Sequence, residues 1–134
     1  VADTDILISL YSADDANHQI VIDQSQRLLN LGYTIKFPNT AILEAITSLK
    51  RKSNKPEIAT LINQKYLNGE FNVIYVDEEI QNEASKLFSK TKSKQNTIFD
   101  CIVLATAKHT KAAGIFSFDE WYKKMGVKSL KDLV

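Results

Sequence analysis

The chain has 134 residues, 44% of them hydrophobic and 25% charged, the make-up of a folded domain able to bury a core of its own. Its formal net charge of +1 excludes any argument from bulk charge, so a polyanionic partner would have to be met by local basic patches. The lone Cys101 rules out an internal disulfide, and no apolar run approaches the ~20 residues of a spanning helix, so the sequence reads as cytoplasmic with no membrane partner.

Val1-Ala2-Asp3 reads as the end of a strand, and because the chain opens there without Met, a few residues are expected upstream. Ile6 to Tyr11 is apolar and opens a helix, which Asp14, Asp15 and Asn17 break. His18 to Leu31 has helical spacing and Gly32 stops it. Thr34 to Phe37 is a β-prone run ended by Pro38, after which Asn39 or Thr40 caps a helix through Arg51. Pro56 suits the first turn of another helix, which ends near Gly69. Phe71 to Val76 reads as a strand, and Asp77 caps a helix from Glu78 to Lys90. A lysine-rich loop follows. Ile98 to His109 is apolar nearly all round and predicts a buried helix. Ile115 to Phe118 reads as a strand, a short helix starts at Glu120, and Val127 to Leu130 reads as extended.

This alternation predicts an α/β fold with helices on both faces of a mostly parallel sheet. Ligands of such folds bind at the carboxyl ends of the strands. Four acids matter there. Asp3 and Asp119 each end a strand. Glu44 lies within Ala41-Ile42-Leu43-Glu44-Ala45-Ile46, and Asp100 within Ile98-Phe99-Asp100-Cys101-Ile102. An ionised carboxylate in an apolar run is costly unless something pairs with it, and neither acid has a Lys or Arg three or four residues away. A shared divalent cation answers the problem for all four, since carboxylate oxygens are natural ligands of Mg2+ and Mn2+. Each acid also has an ordinary reading. Asp3 and Asp119 could cap helices, Glu44 could sit at a helix rim, and Asp100 could belong to a first turn.

Three basic groups lie close in sequence to these acids: Lys50, Arg51, Lys52 and Lys55; Lys90, Lys92 and Lys94; and Lys123 with Lys124. They suit phosphate contacts or a plain solvated surface. His18 and His109 lack metal-ligand spacing, and Trp121 and Tyr122 read as packing for the last helix.

Asp3-Thr4-Asp5-Ile6-Leu7, Ile42-Leu43-Glu44 with Leu49, Asp100 through Ala107, and Phe116 through Tyr122 resemble, in order, the four motifs of PIN domains. The resemblance spans nearly the whole chain, and its length is similar to that of the compact VapC-type toxin ribonucleases. It implies a single three-layer α/β/α domain over residues 1–134 with a central, mostly parallel sheet. It implies a metal-dependent endoribonuclease of a type II toxin–antitoxin pair, with Mg2+ or Mn2+ held by Asp3, Glu44, Asp100 and Asp119. Thr4 and Ser117 become neighbouring hydroxyls on the substrate side, with Lys50, Arg51, Lys92 and Lys94 serving the RNA. A cognate antitoxin and a homodimer are the implied partners, and 5′-phosphate and 3′-hydroxyl ends the implied products. Two positions depart from many relatives: Asp5 stands in place of Asn, and Trp121 in place of a further Asp.

Two rival readings are of other kinds. Asp3-Thr4-Asp5 after a strand is similar to haloacid-dehalogenase phosphatases, with Asp3 as nucleophile, although Ile6-Leu7 follows rather than Gly-Thr. A degenerate PIN domain acting only as a binding module is the other, and the intact acid set weighs against it.

Overall fold

Short β-prone runs and longer amphipathic ones alternate along the chain, and the computed structural model, which describes residues 1–134, arranges them as helices around a narrow parallel sheet. The helices are α1 (Thr4–Tyr11), α2 (His18–Asn30), α3 (Asn39–Arg51), α4 (Pro56–Leu67), α5 (Glu78–Lys90), α6 (Ile98–His109), α7 (Trp121–Lys124) and α8 (Leu130–Leu133). The strands are β1 (Phe37–Pro38) and β2 (Val73–Ile74), paired in parallel with Phe37 opposite Val73. Ala2 forms a parallel bridge with Phe116. Backbone hydrogen bonds join these pieces: Ala2 N donates to Lys36 O at 2.8 Å, Phe116 N to Val1 O at 2.8 Å, and Ile115 N to Lys128 O at 2.9 Å. Across the sheet the segments therefore run Val73, Phe37, Ala2, Phe116, Lys128.

Successive strand residues face opposite ways, and the core follows that period. Ala2, Phe37, Val73 and Phe116 pack into one apolar cluster with residues of α1 to α4. Val1, Ile74 and Ile115 pack into the other, with α5, α6 and α7. The sheet is thus covered on both faces, giving the three expected layers. Helix α6 is the most enclosed element, with every residue from Cys101 to Ala107 buried.

Local signals set the helix ends. Gly32, at φ +90°, closes α2: its N–H bonds Leu29 O at 3.0 Å and the Tyr33 N–H bonds Leu28 O at 3.0 Å, a left-handed cap that glycine adopts without strain. Asp77 caps α5 by accepting from Ile80 N at 2.9 Å, and Pro56 opens α4. No helix is long and apolar enough to cross a membrane.

The strands are shorter than the sequence suggests. Thr34 and Ile35 lie outside β1, and β2 occupies only the middle of Phe71 to Val76. The extended segment expected over Val127 to Leu130 stops early: Ser129 and Asp132 form a capping box, so Leu130 begins α8.

The strand expected over Ile115 to Phe118 is reduced to the single Phe116 bridge; Gly114 lies just before it, where the C-terminal segment crosses, and a Cβ there would lie 2.6 Å from the Lys128 carbonyl oxygen. Backbone cannot swing aside as a side-chain tip can. Gly114→Ala should cost about 1–3 kcal/mol by overpacking. A thermal melt reads this, and an unchanged melting temperature would mean that Lys128 is not held against the sheet.

Candidate metal centre

Asp3 leaves the sheet directly after Ala2 and caps α1, with backbone in the extended region. It is only 6% exposed. Its Oδ1 accepts from Thr4 N at 2.7 Å and its Oδ2 from the Tyr122 hydroxyl at 2.6 Å. Burial, with the charges of Asp5 and Asp100 added, pushes its carboxyl up to about 7, against the opposing pull of the Tyr122 and Thr4 hydrogen bonds. The same burial, reinforced by the Asp3 charge, raises the Tyr122 phenol, so it stays a hydrogen-bond donor.

Asp100 sits in the first turn of α6, where the buried helix emerges at the carboxyl end of the sheet. Its Oδ2 accepts from Thr97 N at 2.8 Å, completing a capping box with Thr97. The ordinary reading of this residue is therefore realised. It accounts for one oxygen only, since Asp100 Oδ1 lies 3.5 Å from the same Tyr122 hydroxyl that serves Asp3. Asn96 then links the next pair: its Nδ2 donates to Asp119 Oδ2 at 2.9 Å and lies 3.3 Å from Asp100 Oδ2. Asp119 also caps the turn into α7, accepting from Trp121 N at 2.9 Å.

Glu44 reaches the group from α3. Thr4 Oγ1 donates to Glu44 Oε1 at 2.6 Å. Burial raises the Glu44 carboxyl, with Asp100 and Asp5 adding to the rise and Thr4 and Lys52 opposing it. Asp3, Glu44, Asp100 and Asp119 are thus tied into one cluster through the shared donors Thr4, Tyr122 and Asn96. Ser117 holds a fifth acid, donating to Asp5 Oδ2 at 2.9 Å, while Phe118 N donates to the same oxygen at 2.8 Å. Burial raises the Asp5 carboxyl, and its Oδ1 is buried with no hydrogen-bond partner.

Among the candidate substrate residues, Thr4 and Ser117 turn their hydroxyls to the acids. Arg51 lines a cleft beside Glu44, together with Lys52. Lys92 lines a second cleft with Lys90, Lys124 and Asn96, while Lys50 and Lys94 are simply exposed. Sequence reasoning did not assign Tyr122 or Asn96 to the site, and it treated Asp5 only as added charge. A hydrogen-bond bridge between acids far apart in sequence has no local pattern. The spacing Thr97 to Asp100 is a legible capping signal, however, and it places Asn96 immediately before a helix start.

The set fits a divalent cation. Every donor to the five carboxylates is neutral, and none of them forms an ion pair with Lys or Arg. The unpartnered Asp5 Oδ1 is an oxygen with nothing to bind. A separate trio of ligand-type atoms, on the exposed Asp77, Glu79 and His109, lies within 4.8 Å of one another. His109 is at the far end of α6 from Asp100, so this trio is not part of the acid cluster.

A family model described as the PIN domain matches residues 1–128. The chain is similar to a VapC ribonuclease of Aquifex aeolicus (strain VF5), 25% identical over an alignment of 134 positions, which covers 96% of this chain and 93% of the relative. Among solved structures it is similar in fold to Mycobacterium tuberculosis VapC20, described as a Sarcin-Ricin loop cleaving toxin. That likeness has a TM-score of 0.79 at 18% identity and covers 95% of each chain.

The raised acids set a pH dependence for the metal-free protein. A carboxyl whose pKa rises on folding binds more protons folded than unfolded between the two values, so stability falls as pH climbs through that window. For Asp3 the window runs from 3.8 to about 7. In EDTA, denaturant melts should show stability dropping from about pH 4.5 to about pH 6. Mn2+ should restore more stability at the upper pH than at the lower. Stability that rises across this window in EDTA would show that the acids are not electrostatically strained.

Proposed function

The chain belongs to the PIN domain family, and from that premise we propose that it is a divalent-metal-dependent endoribonuclease, the toxin of a toxin–antitoxin pair. One observation carries the proposal: five carboxylates converge at the carboxyl end of the sheet with no cation of the chain's own paired to any of them. Asp3, Glu44, Asp100 and Asp119 would hold Mg2+ or Mn2+, with Asp5 beside them. When bound, the cation would offset charge building on the phosphodiester oxygens and make water a better nucleophile near neutral pH.

The chain's own residues supply the rest. Tyr122 and Thr4 N keep Asp3 oriented and favour its charged form. Asn96 and Thr97 N fix the Asp100 carboxylate, and Asn96 and Trp121 N fix Asp119. An acid of the cluster that does not touch the cation directly would accept the proton of the attacking water. As the water oxygen bonds to phosphorus, the bond to the 3′ oxygen breaks and that oxygen takes up a proton. The ends left are a 5′-phosphate and a 3′-hydroxyl. Arg51 and Lys52 on one side, and Lys90, Lys92 and Lys124 on the other, would track the backbone phosphates.

The Aquifex relative's description as a ribonuclease and the toxin description of VapC20 support this reading. The phosphatase reading fails on family membership. Two partners belong to the proposal. An antitoxin arginine or lysine entering the acid cluster would provide the cation the chain lacks. The exposed Ile20, Leu29 and Leu31 along α2 and its end, and Leu61 and Leu67 on α4, offer apolar surface for a homodimer.

The purified protein should cut a mixed RNA substrate in Mg2+ or Mn2+ and not in EDTA. Asp100→Asn should lower the rate by ~10²–10³-fold or more, the range for losing one important transition-state interaction. A folded chain that leaves RNA intact with either metal is a binding module instead. Co-expression with the adjacent small gene should relieve growth arrest and give a complex whose toxin subunits are paired by light scattering. Arrest that no neighbouring gene relieves would mark a free-standing nuclease.

A further inference from the structure

Aromatic side chains beside a nuclease site are natural seats for unstacked bases, and the structure separates those that can serve from those that cannot. Trp121 and Tyr122 are buried against α6, and the Tyr122 hydroxyl is committed to Asp3. Phe118, next to Asp119, is exposed but does not line the cleft beside Glu44; Phe99, next to Asp100, does. It is 42% exposed, although the seven residues from Cys101 to Ala107 in the same helix are all buried. The exposed part of this ring is free to meet a ligand.

Phe99 lines a cleft of about 650 Å³ whose opposite wall is α3, which contributes Leu43, Glu44 and Arg51, with Lys52 just beyond its end. Its contents form a gradient. Glu44 belongs to the acid cluster. Phe99 and the 49%-exposed Leu43 offer apolar surface. Arg51 and Lys52 have no carboxylate in ion-pair contact, so their charge is available. A volume of that size suits a small planar group with its attached phosphate.

We propose that this cleft seats an RNA base next to the cleaved bond, stacked on Phe99, with a flanking phosphate on Arg51 and Lys52. This rests on the ribonuclease reading above. The charge argues for RNA over a second copy of the chain, because the apolar part is two side chains set among hydroxyls and cations. A base inside an A-form duplex has both faces covered and its ring cannot reach Phe99, whereas a splayed base can. Stacking of this kind tolerates any base.

The test uses the full chain carrying Asp119→Asn, which slows cleavage, with a fluorescent unstructured RNA and the same RNA containing abasic sites. Phe99→Ala should weaken binding of the intact RNA roughly 10-fold or more, the range for loss of one base stack. The abasic RNA should bind the Phe99 protein as weakly as the intact RNA binds Phe99→Ala. Phe99→Trp should restore binding, with its fluorescence quenched by intact RNA and not by abasic RNA. Equal binding with and without the ring, or an equal loss on abasic RNA, overturns the proposal. So does a shift from dimer to monomer in Phe99→Ala by light scattering, which would make this face a contact between copies. If those arms fail while the unmodified chain still cuts RNA, the ribonuclease reading stands alone; if it neither binds nor cuts RNA with either metal, that reading falls as well.

Discussion

Like charges gathered in a poorly hydrated place repel one another, and five carboxylates do so at one end of this sheet without a lysine or arginine in contact. The fold holds them with neutral donors. Thr4 N and the Tyr122 hydroxyl serve Asp3, Ser117 and Phe118 N serve Asp5, Asn96 bridges Asp100 and Asp119, and Thr4 Oγ1 serves Glu44. Neutral donors orient a carboxylate and partly replace water, yet they leave its charge uncancelled. A salt bridge would have made the apo protein more comfortable and the site weaker for a cation.

The rest of the molecule supplies the rigidity that such an arrangement requires. Asp3 and the Ser117 turn are consecutive with Ala2 and Phe116, which bridge in parallel, so the sheet itself sets the distance between the two acidic strand ends. Asp100 is placed by α6, whose buried face from Cys101 to Ala107 leaves it little freedom to shift. Three of the clustered acids also serve helix starts: Asp3 caps α1, Asp100 completes the Thr97 capping box of α6, and Asp119 holds the turn into α7. The same side chains thus begin helices and gather charge, and the helix N-terminal dipoles soften the repulsion they create.

The longer helices were legible in the sequence, because Gly32, Pro56, Asp77 and the apolar run after Ile98 are local signals, while α8 was read as extended. Strands were legible in place and not in length: pairing depends on what lies alongside, and the narrow sheet leaves Thr34 and Ile35 without a partner strand. The same difference holds at the site. Glu44 and Asp100 announce themselves as charges inside apolar runs, a contradiction visible in one dimension. Tyr122 and Asn96 contradict nothing locally. One looks like packing and the other like a loop, and only folding brings the first to Asp3 and the second between Asp100 and Asp119.

A net charge of +1 conceals how far the charges are sorted. The acids collect at the carboxyl end of the sheet, while Arg51 and Lys52 line a cleft on the α3 side and Lys90, Lys92 and Lys124 line another on the Asn96 side. No ion pair joins these cations to the acids of the cluster. The long cationic side chains remain free to meet phosphates, and the acids remain free to meet a metal. Separation of this kind is unfavourable for the isolated protein and useful only when a polyanion and a divalent cation arrive together, so the charge layout itself argues for a phosphodiester substrate.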